Sequence, residues 1–240
     1  MVTNTDIMRF AANHKRFTRK ELIAHLEQGR QDVSSNAVSV QLKRLLNSKA
    51  LIHPKFGVYA LPDRSKVDFF VTNTDEVRQI SEQIRQQFPF TIFCVWSSRE
   101  IAPYMRHIPK LDFLLVDVER DAAEAVFNRL HADTSMRVFL TPTQTDFGRY
   151  IAGNEAVVVR PLISEAPLAT VENIPSPAIE KFLVDMVGDV EFSFLSGIEM
   201  NYVYAAIFER HKVNKSKLLR YAARRGRKTK VQQLLDDNKL

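Results

Sequence analysis

The 240-residue chain contains one cysteine, one tryptophan and only seven glycines. A lone cysteine excludes an internal disulfide, and Cys94 lies in the apolar run TIFCVW, where a buried, inert thiol is expected. So few glycines leave no room for a glycine-rich loop cradling a phosphate. No apolar run approaches the roughly 20 residues that a membrane helix needs. The first residues, MVTNTDIMRF, lack the basic-then-apolar pattern of a secretory signal. These absences lead us to expect a cytoplasmic protein with no membrane contact. His107 and His131 have no companions at metal-ligand spacing, so no metal and no cofactor is expected.

What is present is ordinary in bulk and uneven in placement. The hydrophobic share of 45% against 26% charged suits a soluble globular protein. The net charge of +6 conceals basic ends and an acidic middle: +7 over residues 1–66, −9 over 67–208 and +8 over 209–240. Basic segments of this density commonly meet nucleic acid or an acidic protein.

The first sixty residues spell helix, helix, helix, hairpin. MVTNTDIMRFAANHK supplies the first helix. Thr18 and Glu21 form a capping box that opens the second, with Gly29 as its C-terminal cap. Ser34 and Ser35 are good N-cap residues for the third, SSNAVSVQLKRLLNS. Helical spacing packs Val38, Leu42, Leu45, Leu46 and the stem of Lys49 inward, leaving Asn36, Ala37, Val40, Lys43, Arg44 and Asn47 outside. Leu51-Ile52-His53-Pro54, a turn at Lys55-Phe56-Gly57, and Val58-Tyr59-Ala60-Leu61 make the hairpin.

This order is that of a winged helix-turn-helix, whose third helix enters the major groove of duplex DNA. Asn36, Val40, Lys43 and Arg44 are candidate base contacts. Asparagine pairs with adenine, arginine or lysine with guanine, and valine with a thymine methyl. Lys15, Arg16, Arg19, Lys20, Ser34, Ser35 and Lys55 are candidate phosphate contacts. The competing expectation is a winged helix that contacts protein.

Residues 62–75 read as a connection, dividing a domain of residues 1–65 from one of residues 66–240. The second alternates helix and strand: helix 76–87, strand 90–96, short helix 99–106, strand 111–118, helix 122–131, strands 137–140 and 156–159. The fold class expected is therefore α+β (mixed α/β), a winged helix-turn-helix followed by an α/β domain. VWSSREIAPYMRHIPKLDFLLVDVE resembles the nucleotidyltransferase signature, a strand ending in Gly-Ser, a helix, and a strand carrying Asp-x-Asp. Those paired carboxylates hold magnesium against a triphosphate. Here the pair reads Lys110-Leu111-Asp112, with Ser97-Ser98 before it. A lysine in the first ligand position argues against that catalysis, and an enzyme using Ser98 and Asp112 is the alternative. Asp117 and Glu119 form a less suitable pair, since Glu119 and Asp121 favour the start of the next helix.

Further on, Ser176-Pro177 has the form of a helix start, and three more helices follow at about 197–211, 216–225 and beyond Gly226. Leu218, Leu219 and Ala222 pack one side of the basic helix, with Arg220, Arg224, Arg225, Arg227 and Lys228 projecting outward as candidate partner contacts. SPAIEKFLVDMVGDVEF followed by KSKLLRYAARRGRKTKVQQLL resembles the C-terminal signature of the AbiEi-like proteins. These are the antitoxin and transcriptional-regulator half of bacterial type IV toxin-antitoxin (abortive infection) pairs. The resemblance covers essentially the full length. It implies DNA binding at the operon's own promoter by the N-terminal domain, and a cognate nucleotidyltransferase-like toxin counteracted with the C-terminal domain.

Overall fold

A computed structural model describes residues 3–14, 16–28, 33–62 and 66–240. The fold is mixed α+β, and the chain divides into two compact units, Met1–Ser65 and Lys66–Leu240.

The first unit is a winged helix-turn-helix. Helix α1 (Asn4–Asn13) opens on a capping box in which the Thr3 hydroxyl accepts from the Asp6 amide and the Asp6 carboxylate accepts from the Thr3 amide. Strand β1 (Phe17–Thr18) leads into α2 (Arg19–Gln28). There the Thr18 amide donates to Glu21 Oε2 at 2.6 Å, and the Glu21 amide donates to Thr18 Oγ1 at 3.3 Å. Gly29, expected to cap this helix, lies outside the described residues. Helix α3 (Ser35–Asn47) starts under Ser34, whose hydroxyl accepts from the Ala37 amide. Ile7, Phe10, Phe17, Leu22, Val38, Leu42 and Leu45 form the core of this unit. Lys49 does not join it. The helix has ended, Lys49 turns through a positive φ of 56°, and its side chain is exposed. Strands β2 (Ile52–Lys55) and β3 (Val58–Ala60) form the wing, and β1 pairs with the other edge of β3.

The second unit is a layered α/β body. In chain order it holds α4 (Asp75–Gln87), β4 (Phe93–Ser97), a 3-10 segment (Ser98–Tyr104), β5 (Phe113–Val118), α5 (Ala123–Asp133) and β6 (Arg137–Leu140). A short α6 (Gln144–Asp146) runs into a π turn, and β7 (Ala156–Pro161), β8 (Leu168–Val171) and β9 (Ile174–Pro177) follow. Helices α7 (Ile179–Met186), α8 (Ile198–Arg210), α9 (Lys215–Arg224) and α10 (Lys228–Asp237) complete it.

The main sheet has the order β4-β5-β7-β6, with β4 antiparallel to β5 and the other pairs parallel. Alternation along its strands builds two cores. Cys94, Trp96, Leu115 and Val158 meet Phe182 and Leu183 of α7, Tyr204 and Ile207 of α8, and Leu218 of α9. Val95, Leu114, Val116 and Val157 meet Val77, Ile80 and Ile84 of α4 and Val126 and Leu130 of α5. Covering both faces explains the nearly continuous apolar runs of β5 and β7. Among the described residues no helix is long and apolar enough to cross a membrane.

Three details differ from the sequence reading. Phe90 and Ile92 precede β4 and are exposed, because the strand begins only where Phe93 pairs with Val118. Leu111 is buried but stands before β5. Ser176 and Pro177 do not start a helix: they pair with Ala169 and Leu168 in the β8–β9 hairpin, and α7 begins at Ile179 after an Ala178 cap. The hairpin uses this stretch of backbone first, and proline is tolerated on so short a ladder.

Candidate nucleic-acid interface

Helix α3 sets its two sides apart by burial. Val38 and Leu42 are 0% and 1% exposed, whereas Val40 on the opposite side is 50% exposed. Asn36, Lys43, Arg44 and Asn47 share that outer side and are exposed. The structure thus brings all four candidate base-contact residues onto one solvent-facing surface. No carboxylate among the described residues forms an ion pair with Lys43, Arg44 or Lys55.

The candidate phosphate contacts are less uniform. Arg16, Lys20, Ser34 and Lys55 are exposed, and Lys15 lies outside the described residues. Arg19 reaches across from α2 to the Ser35 hydroxyl and backbone carbonyl, so these two candidates are already joined to each other and tie the start of α2 to the start of α3. On the wing, His53 Nδ1 lies 3.0 Å from the Val58 carbonyl, and its ring is tilted against Tyr59 at 4.4 Å. Phe56 at the wing tip is completely exposed. It was not singled out by the sequence, although an aromatic placed between Lys55 and a turn glycine was the available signal.

The second unit holds a buried charge cluster that the sequence reading missed. Asp117 and Arg160 are neighbours on β5 and β7. Arg160 Nε donates to Asp117 Oδ1 at 2.5 Å, Nη2 to Asp185 at 3.0 Å, and Nη1 to Asp189 at 3.1 Å and Glu191 at 3.3 Å. Lys181 on α7 is 1% exposed and donates to Asp117 at 2.7 Å and Asp185 at 2.5 Å. Trp96 Nε1 donates to Asp117, and the Tyr221 hydroxyl to Asp185. Arg225 and Arg227 close the cluster on Asp189. Four carboxylates therefore face four cations, which is the condition for burying charge at tolerable cost.

The protonation equilibria follow from this arrangement. Burial pushes Asp117 up, but Arg160 and Lys181 outweigh it and hold the carboxyl well below the usual range. Asp189 is lowered in the same way by Arg160, Arg227 and Arg225 against its burial. At Glu191 burial wins over Arg160, and the carboxyl is raised. Cys94, fully buried beside the cluster, is pushed far up by desolvation, as befits an inert thiol.

One expectation is corrected here. Arg225 and Arg227 do not project outward: their side chains are 15% and 16% exposed, because Asp189 draws them in. Arg220, Arg224 and Lys228 are exposed, with Arg224 paired to Glu165. Asp117 is buried, and Glu119 makes no side-chain cap at the short 3-10 turn that follows it but accepts from the Ile92 amide at 3.1 Å.

The stretch resembling a nucleotidyltransferase lies at the opposite end of the sheet. Ser98 is fully buried and accepts from the Phe113 amide at 3.2 Å. Asp112 receives two bonds from Arg99, at 2.7 and 3.1 Å, and lies 3.4 Å from Lys110. These partners lower its carboxyl and occupy its oxygens. A cleft of about 430 Å³ opens there, edged by Glu76, Gln83, Arg99, Asp112 and Glu155. Among the described residues no three acidic, histidine or cysteine side chains are placed to hold a metal ion.

A family model matches residues 37–240, spanning most of α3, the wing and the whole charge cluster. The chain belongs to DUF6577, a family of unknown function. No curated protein matches it. Within this DUF6577 chain, Glu180, Lys181 and Asp185 of α7 lie close to Tyr221 and Arg225 at the end of α9. All five are committed to internal contacts, with Glu180 accepting from the Asn214 amide at 3.0 Å. These residues thus join α7 to α9 and to the sheet.

Proposed function

We propose that this DUF6577 member is a sequence-specific DNA-binding protein of the cytoplasm that represses transcription from its own promoter. The observation that carries the proposal is the outer side of α3, where Asn36, Val40, Lys43 and Arg44 stand exposed and, among the described residues, without carboxylate partners, in a unit whose wing carries Lys55. Those residue types match the donor, acceptor and methyl pattern of major-groove base edges. The resemblance of the C-terminal segment to the AbiEi-like proteins adds the biological setting: an antitoxin-like regulator whose gene neighbour encodes a nucleotidyltransferase-like toxin, with the exposed Arg220 and Lys228 available to an acidic partner surface.

The function is one of binding rather than catalysis in this reading. The carboxylate that a nucleotidyltransferase would give to magnesium, Asp112, is held by Arg99 and Lys110. The test is selection of duplexes from a random library with the full-length protein, followed by gel shift on the selected sequence and on the gene's own upstream region. Lys43→Ala with Arg44→Ala should abolish the specific shift. Undiminished binding by that double variant would remove the assignment.

A further inference from the structure

We infer that Phe56 is a wedge that enters the minor groove of duplex DNA and unstacks a base step, bending the duplex. The inference rests on the DNA-binding reading above and adds to it a contact with bases made by the wing. Phe56 is 105% exposed, the most exposed of the large apolar residues in the described chain. Its ring makes no aromatic contact there, whereas the nearby His53 and Tyr59 rings pack on each other.

Nothing in the hairpin requires an aromatic at this place. Lys55 pairs with Val58, leaving Phe56-Gly57 as a two-residue loop. Gly57, at φ +74°, supplies the left-handed conformation that the second loop position demands. The first position accepts almost any residue, and a polar one would be the ordinary choice. The phenylalanine therefore contributes nothing to folding that the turn needs, and its whole apolar surface is available to a partner.

Charge selects the partner. Residues 1–65 carry eleven Lys/Arg against five Asp/Glu, and Lys55 directly precedes the ring, so an approaching polyanion is drawn to the tip from both wing and α3. A minor groove about 6 Å wide excludes a helix but admits one flat side chain from a hairpin tip. Apolar side chains inserted there separate adjacent base pairs and kink the duplex, most readily at pyrimidine–purine steps. Lys55 then sits at the phosphates flanking the kink.

The test uses the full-length protein on the selected duplex, with 2-aminopurine placed in turn at the pyrimidine–purine steps flanking the bases read by α3. Binding by the natural chain should raise 2-aminopurine fluorescence at one step. Phe56→Ala should remove that rise and weaken binding by roughly tenfold, the scale of one lost stacking contact. Its salt dependence should stay unchanged, because no phosphate contact is lost, and Phe56→Trp should restore the signal. Because the side chain is wholly exposed, these variants keep the fold, which a thermal melt checks. Binding by Phe56→Ala within about twofold of the natural chain, with the same fluorescence rise, overturns the wedge. It leaves the DNA reading intact as long as Lys43→Ala with Arg44→Ala loses binding in the same assay. If selection enriches no duplex, the DNA reading itself fails and the wedge with it.

Discussion

Asp117 on β5 and Arg160 on β7 face each other across two parallel strands, joined by a 2.5 Å hydrogen bond inside the protein. Two further side chains, Lys181 and Trp96, donate to the same carboxylate. Removing Asp117 would leave Lys181 and Arg160 buried with fewer counter-charges, and breaking one side of such a cluster costs about 3–5 kcal/mol. Asp117→Ala should therefore lower the urea midpoint sharply. Asp112→Ala, which breaks a pair whose arginine is 57% exposed, should cost no more than about 1 kcal/mol. Equal losses in the two variants would contradict this account.

Acid should unfold the second unit through the same residues. Asp117 and Asp189 have carboxyls lowered in the folded state, so each adds stability that is complete above the ordinary aspartate range, about 3.9. That stability is lost as pH falls through this range toward the native values. Glu191 acts with the opposite sign, since its raised carboxyl contributes stability at low pH and loses it as pH rises. Below about pH 4 the raised Glu191 carboxyl is already protonated in the folded state, so the two aspartates set the trend there and stability should fall on acidification. Denaturant titrations across pH 3–6 should show this slope, a shallower one for Asp117→Asn and a steeper one for Glu191→Gln.

The parts of this molecule that were legible in the sequence are those set by local rules. The partners of the Thr18–Glu21 box are three positions apart, and the burial of Val38, Leu42 and Leu45 follows from helical period alone. The charge cluster was illegible because Asp117, Arg160, Lys181 and Arg225 are far apart in the chain, and each by itself has the look of a surface charge. The β8–β9 hairpin escaped for a different reason. Its turn places Glu172 and Asn173 at positive φ, without the Asn-Gly or Asp-Gly pair that announces such turns. Ser176-Pro177 then resembled a helix start because the strand claiming it could not be seen.

The C-terminal arginines should separate into two classes. Arg225→Ala and Arg227→Ala remove partners of the largely enclosed Asp189, and each should cost about 2 kcal/mol in chemical denaturation. Arg220 is exposed and unpaired among the described residues, so Arg220→Ala should change stability by less than about 0.5 kcal/mol. If an acidic partner protein docks on this face, Arg220→Ala and Lys228→Ala should weaken that complex in calorimetry without altering the melt. A stability loss at Arg220 equal to that at Arg225 would refute the division.

Salt dependence distinguishes the residues proposed to read bases from those proposed to hold phosphates. Each phosphate contact releases condensed counterions, so log K against log salt should lose about one unit of slope for Lys20→Ala or Lys55→Ala, with affinity falling alike on specific and unrelated duplexes. Asn36 carries no charge. Asn36→Ala should leave the slope unchanged and cost about 1–3 kcal/mol on the selected duplex alone, with preference relaxed at one base pair. Arg19 should follow neither pattern. Its contacts to Ser35 join α2 to α3, so Arg19→Ala should disturb the docking of α3 and, on the proposed reading, reduce specificity and affinity together. Fluorescence anisotropy across a salt series on the two duplexes measures all of these. An unchanged slope in both lysine variants would mean that α2 and the wing do not approach the phosphate backbone as proposed.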